Sequence, residues 1–298
     1  MIRKDIFYDE KFIVKKNIDD IFPFVHSVLN INSEVNIMDV IICKTSADAE
    51  KLAARMIADA INAKPEFKLG LATGATMENV YAELSRLNQA GEVDFSQVRS
   101  WNLDEYAGLA PEHDQSYRYY MNKHLFNNVN IDIRNTHLPD GLAPDEEAEA
   151  ARYDDSIDEA GGIDLWLVGI GKSGHVGFND PGTSFSSRTH VAYLNNTTYE
   201  QNKIYFNPPE SMPRRAYTAG VGTVLDAKKV LQLITGERKA AIAAAAIEGP
   251  MTAMISSTAL QLHPDTVIIL DEAAAADLKL KDFYKEVFEN DPKWAAYR

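Results

Sequence analysis

Along this chain, short unbroken apolar runs alternate with stretches whose apolar residues recur at helical spacing, and that alternation predicts an α/β architecture. Asp39-Val-Ile-Ile-Cys43, Phe67-Lys-Leu-Gly-Leu-Ala72, Val98 to Leu103, Ile163 to Ile170, Tyr217 to Val221, Val230 to Ile234 and Thr266 to Leu270 read as strands. The run from Ile163 to Ile170 is broken only by Asp164 and Gly169, as expected of a buried parallel strand. Between these runs lie amphipathic stretches. Ser46 is placed to cap a helix with Ala49, Leu52, Ala53, Met56, Ile57 and Ile61 on one face. Met77 to Leu87, Ser116 to Phe126, Glu146 to Ala160, Glu237 to Glu248 and a terminal segment from Ala273 read as further helices. The expected fold is three-layer α/β with a mostly parallel central sheet.

Two segments fall outside the alternation. Residues 1–38 form an appendage in which Ile18, Ile21, Phe22, Val25, Val28 and Leu29 are spaced for one short amphipathic helix interrupted at Pro23. Residues 183–215 are polar, lack strong periodicity and are broken by Pro208, Pro209 and Pro213. A long irregular segment beside a site reads as a lid. The expected organisation is therefore an N-terminal appendage followed by a single α/β domain, 39–298.

Composition narrows the function classes. A net charge of -14 on 298 residues argues against nucleic acid, because no basic field is available to displace counterions. It leaves room for an anionic small substrate, since helix N-termini and single lysines act locally. The one cysteine, Cys43, allows neither an internal disulfide nor a paired-cysteine metal site, and its apolar neighbours make it a core residue. No apolar run approaches the roughly 20 residues that span a bilayer, and the opening MIRKDIFYDEKFIVKK is charged throughout, unlike a signal peptide. A cytoplasmic protein without membrane or nucleic-acid partners is expected, and a homo-oligomer is left open.

Candidate chemistry sits where strands end. After Ile170 come Gly171-Lys-Ser-Gly-His175-Val-Gly-Phe-Asn-Asp180-Pro181, a glycine-rich turn holding one histidine and one carboxylate. In open α/β sheets ligands collect at strand carboxyl ends, which is where this turn is expected. Gly169-x-Gly171-x-x-Gly174 has the letters of a dinucleotide fingerprint, but Phe178-Asn-Asp-Pro-Gly182 blocks the helix that should follow and Ser186 to Asn196 supplies no acid. A nicotinamide site is not expected. Thr73-Gly-Ala-Thr76, between a strand and a helix, is either a phosphate cradle or an ordinary βα turn. Asp104-Glu105 at a strand end is either a site pair with one carboxylate aimed into the crevice, or solvated loop acid. Lys239, in the first turn of a helix, works against the helix dipole unless it serves an anion.

Taken together these pieces resemble the glucosamine-6-phosphate deaminase (isomerase) family. The likeness rests on LGLATGAT (69–76), NLDEYAGL (102–109), GIGKSGHVGFNDPGTSFSSRT (169–189), GVGTVLDAKKV (220–230), ITGERKA (234–240), SSTALQLHP (256–264) and DEAAAADLKLK (271–281). It implies a modified Rossmann-like fold and conversion of D-glucosamine 6-phosphate and water to D-fructose 6-phosphate and ammonia, with no metal or redox cofactor. By the same resemblance Asp104 is the base that takes the C2 proton and His175 the acid/base that opens the sugar ring, oriented by neighbouring acids. Thr73, Gly74, Ala75 and Thr76 cradle the phosphate, with Lys239.

This chain departs from the pattern in four respects. Ser173 stands where the family has an acid two residues before the histidine, and Asp180 replaces a longer glutamate; losing a carboxylate should lower the histidine's pKa. The family's phosphate arginine falls on Ile204 without a gap, or on Lys203 if one residue is inserted upstream. Finally, His190 and Ala192 occupy the positions of basic residues that bind an allosteric N-acetylglucosamine 6-phosphate in some members, so no activation by that ligand is expected. Galactosamine 6-phosphate as substrate, a 6-phosphogluconolactonase-type hydrolase and a non-catalytic sugar-phosphate sensor are the alternatives; such sensors carry an N-terminal DNA-binding helix-turn-helix, for which residues 1–38 are too short and insufficiently basic.

Overall fold

In the computed structural model residues 38–298 are described, so the helical spacing read in the appendage lies outside the described residues. The strands are β1 (Asp39–Cys43), β2 (Lys68–Leu71), β3 (Arg99–Asn102), β4 (Asp104–Tyr106), β5 (Thr136–His137), β6 (Leu165–Val168), β7 (His190–Tyr193), β8 (Arg215–Thr218), β9 (Val230–Ile234) and β10 (Thr266–Asp271). Seven of them build one sheet in the order β1-β10-β9-β6-β2-β3-β5. All its pairings are parallel. The helices are α1 (Ser46–Ala63), α2 (Ala75–Gln89), α3 (Tyr117–His124), α4 (Glu146–Glu159), α5 (Asn196–Asn202), α6 (Val221–Leu225), α7 (Ala240–Glu248) and α8 (Lys281–Asn290).

Both faces of the large sheet are covered, which is why its strands read as continuous apolar runs. β10 shows this directly. Val267 and Ile269 enter a cluster with Ala53, Ile57, Leu84 and Trp166, whereas Ile268 and Leu270 enter another with Ile234, Ala243 and Ile247. The winding then decides where a ligand can sit. From β2 the chain proceeds through β3 to β5 on one side, and from β6 through β9 to β10 on the other. The reversal lies between β2 and β6, and the carboxyl ends flanking such a switch point form the crevice of an open α/β sheet. No described helix is long and apolar enough to cross a membrane.

Four local expectations are corrected. The N-cap of α1 is Thr45, which closes a capping box with Asp48, while the Ser46 hydroxyl turns to Asp271. The stretch Tyr217 to Val221 is split: the strand ends at Thr218 and Val221 begins α6. Lys239 closes a 3₁₀ turn (Glu237–Lys239), so α7 starts one residue later. Residues 183–215 are only partly irregular. They supply β7 and α5, and β7 joins β4 and β8 in a small antiparallel sheet. Leu194, Tyr199, Phe206 and Met212 of this segment share a second core with Tyr106, Leu109, Phe178 and Ala216. Prolines broke the periodicity in sequence, but the buried aromatics still fold the segment.

Candidate active site

Four neighbouring strands, β9, β6, β2 and β3, run parallel and therefore end on the same edge of the sheet. At strand spacings of about 4.8 Å that edge is roughly 15 Å wide, the scale of one phosphosugar. Each strand end delivers one segment singled out in the sequence. Lys239 follows β9, the His175 turn follows β6, Thr73–Thr76 follows β2, and Asp104 follows β3.

The turn after β2 is shaped for an anion. Gly74 has φ +121°, a conformation that side chains strongly disfavour, and it leads into α2 without a side-chain cap. Met77 N–H bonds back to the Gly74 carbonyl at 2.9 Å, and that carbonyl also accepts the Tyr120 hydroxyl at 2.8 Å. Uncapped N–H groups at the start of a 15-residue helix present donors and a positive dipole end. Lys239 is half-buried, and its ammonium donates to the Ile170 carbonyl at 2.8 Å. Burial lowers its pKa, and no acidic neighbour among the described residues offsets this. A half-buried ammonium that, among the described residues, donates to a backbone carbonyl and to no carboxylate is suited to receive an anion.

Asp104 is 6% exposed, and its Oδ1 has no hydrogen-bond partner. Burial, helped by the neighbouring Glu105 charge, pushes its pKa up to about 8. Glu105 faces the other way along the strand. Its carboxylate accepts the N–H groups of Tyr106 at 2.8 Å, Tyr117 at 2.9 Å and Arg118 at 2.9 Å, pinning the first turn of α3. Burial lifts it to about 7, while those three donors pull it down. One strand end thus carries a carboxyl group kept dry and another fully used by backbone. The Tyr117 hydroxyl lies against Thr73 and the Tyr106 hydroxyl, linking the phosphate turn to the Asp104 strand.

The Nε2 side of the His175 ring packs against the Gly171 backbone, where a Cβ would stand only 2.0 Å from Nε2. Its Nδ1 meets the Ser173 hydroxyl at 2.7 Å, whereas Asp180 Oδ1 stands at 3.6 Å, outside hydrogen-bonding range. Burial is the main influence lowering its pKa; Asp180 raises it and Lys239 lowers it further. Two residues on, Gly177 (φ +58°) brings the turn against the base: a Cβ there would lie 2.6 Å from Thr218 Oγ1 and 3.7 Å from Asp104 Oδ2. A cavity of about 450 Å³ opens beside the ring, lined by Lys172, Ser173, His175, Asp180, Asn195 and Thr198 among others. Neither Asp104 nor the turn 73–76 lines it.

A family model described as glucosamine-6-phosphate isomerases/6-phosphogluconolactonase matches residues 44–268. The chain belongs to this family. A glucosamine-6-phosphate deaminase of Shewanella woodyi is 44% identical over 259 residues, 87% of this chain and 98% of that relative. One of Clostridium perfringens is 47% identical over 242 residues, 81% of this chain and all of that protein. Among solved structures, a monomeric glucosamine-6-phosphate deaminase superposes with a TM-score of 0.79 at 42% identity, covering 80% of this chain and 100% of that one. A 6-phosphogluconolactonase from Trypanosoma cruzi has a TM-score of 0.66 at 19% identity, covering 82% and 98%; at that identity the likeness is one of fold.

Thr73–Thr76, Asp104, His175 and Lys239 each follow one of four neighbouring strands, but of the predicted site residues only Ser173, His175 and Asp180 line the cavity. Lys203 opens a 3₁₀ turn just after α5, with its ammonium 2.6 Å from Glu200, and Ile204 beside it is 69% exposed. Sequence reasoning passed over Tyr117, Tyr120 and Asn195. Only Tyr117 and Tyr120 carried a signal, being three apart behind the cap residue Ser116 and so on one helix face.

Proposed function

We propose that this chain deaminates D-glucosamine 6-phosphate, taking up water and releasing D-fructose 6-phosphate and ammonia. The substrate's phosphate rests on the N–H groups of Thr73–Thr76 and on the Lys239 ammonium, with Lys203 as a second cation from the 183–215 segment. His175 moves a proton from the anomeric hydroxyl to the ring oxygen, which opens the pyranose. Its depressed pKa keeps the imidazole neutral near pH 7, ready to accept that proton. Asp104 takes the C2 proton of the open sugar to give an enolamine, exchanges it with solvent, and then protonates C1. Hydrolysis of the resulting C2 imine releases ammonia.

The observation that carries this reading is the Asp104 carboxyl group: dry, lacking a partner on Oδ1, and raised to about 8. A base for a carbon acid works best with a pKa near the operating pH, and burial supplies that shift without a metal. A lactone hydrolase has no proton to remove from C2, and a sensor has no use for a strong base. Because Asp104 is only 6% exposed, the sugar reaches it as the side chains around it part.

Ammonia release from glucosamine 6-phosphate and galactosamine 6-phosphate, by wild type and Asp104→Asn, tests the proposal. Release by the wild type with a loss of about 10²–10⁴-fold in the variant is expected, the usual worth of a positioned base. Preference for the galactosamine ester would change the C4 epimer named here. No release from either ester, or equal turnover by the variant, would overturn the reading.

A further inference from the structure

Asn195 lines the same cavity as His175 and Asp180, and its side chain is used at both ends. Its Nδ2 donates to Asp180 Oδ2 at 2.7 Å, while its Oδ1 accepts the Thr198 N–H at 2.9 Å and so caps α5. Only one orientation of the amide satisfies both partners. Flipped, it would set an oxygen against a carboxylate and an NH₂ against an N–H. The carboxylate it grips is the one beside the histidine. With Oδ2 held by Asn195, Asp180 keeps Oδ1 at 3.6 Å from His175 Nδ1 and leaves the closer 2.7 Å place to Ser173.

The other end of α5 touches the opposite half of the crevice. Asn202 Nδ2 donates to the Tyr106 hydroxyl at 3.3 Å, and Tyr106 lies two residues beyond Asp104. Between these ends Tyr199 is buried with Phe178 and Tyr106. Seven helical residues span about 10 Å, so one short helix reaches from the acid beside the imidazole to the tyrosine beside the base. We infer that Asn195 is a positioning residue, which holds Asp180 at its distance from His175 and ties that geometry to the docking of α5. The catalytic part of this inference rests on the deamination reading above; the geometric part does not.

Two substitutions separate positioning from capping. Asn195→Ser keeps a good N-cap acceptor but loses the donor to Asp180. Asn195→Asp also keeps the cap and sets a second carboxylate against Asp180. The readouts are kcat and KM for ammonia release from glucosamine 6-phosphate, the melting temperature, and the His175 titration followed by NMR in the free protein. The charged groups facing the ring are Asp180, Lys239 and Lys172 of the cavity wall.

Asn195→Ser is expected to melt as the wild type does while kcat drops by about tenfold or more and KM changes little, since misplacing a catalytic group by about 1 Å has such effects. In Asn195→Asp the His175 midpoint moves to higher pH, because added negative charge favours the imidazolium. Wild-type kcat and an unmoved midpoint in both variants would overturn the inference. So would losses of kcat that only track a lowered melting temperature. If the wild type releases no ammonia, the deamination reading fails, and the NMR midpoints alone still decide whether Asn195 governs His175.

Discussion

Asp104 meets two demands that oppose each other. Dryness makes a carboxylate a strong base, and the same dryness makes its ionised form costly to the fold. The sign of the stability effect follows from proton counts. Its pKa rises from 3.8 in the unfolded chain to about 8 in the folded one, so in that window the folded chain holds a proton the unfolded chain has released. Stability must fall as pH rises through the window. Asp104→Asn removes that dependence, and its melting temperature is expected to exceed the wild type's at pH 8 while showing no such gain at pH 4. Equal melting at both values would show that Asp104 is not buried as a strained acid. The place of Asp104 at a strand end was legible in the sequence. The division of labour with Glu105 was not, because the donors that occupy Glu105 come from residues 117 and 118, brought close only by the fold. For His175 the sequence pointed to neighbouring acids as the orienting groups; the structure puts the Ser173 hydroxyl first and Asp180 second.

At the scale of elements, what could be read depended on how much of each segment is buried. β1 and β9 match their predicted runs residue for residue, since three consecutive apolar residues in β1 and a fully buried β9 interrupted only by Gln232 stand out from their polar surroundings. β7 is at most half-buried and four residues long, and β4 consists of Asp104-Glu105-Tyr106, so neither carries an alternation that a short window can detect. The small sheet that shapes the crevice was therefore invisible, and its segment read as an irregular lid. The phosphate turn is different, because its chemistry lies in backbone rather than side chains. Gly74 has open space around its missing Cβ, so a methyl group there would clash with nothing and act through φ +121° alone. Gly74→Ala should destabilise by on the order of 1–3 kcal/mol, the usual cost of a side chain in a glycine-only backbone region. It should also raise KM for the phosphosugar more than it lowers kcat. Urea denaturation and steady-state kinetics check both; an unchanged KM would remove Thr73–Thr76 from the phosphate site.

For the whole molecule, the winding of the sheet is what turns scattered motifs into a site. Residues as far apart in sequence as Thr73 and Lys239 come to the same edge because β2, β6 and β9 are successive parallel strands of one sheet. Strand and helix alternation disclosed the class of fold; strand order cannot be read from it, because many orders satisfy the same alternation. The Shewanella and Clostridium relatives are matched over 98% and 100% of their length by 87% and 81% of this chain, and the family model begins at residue 44. A chain comprising residues 38–298 is accordingly expected to fold with the full-length kcat. Ammonia release by that shorter chain measures it, and a large loss would give residues 1–37 a part in the site.

The central claim is that the carboxylate at position 104 removes the proton from C2. Solvent exchange at that carbon follows ring opening and reads the step itself, apart from ammonia loss. Glucosamine 6-phosphate incubated in D₂O with wild-type protein should lose its C2 proton signal and yield fructose 6-phosphate deuterated at C1, whereas Asp104→Asn should leave the C2 proton in place. Exchange by the variant at the wild-type rate would contradict the account, because another group would then be taking the proton.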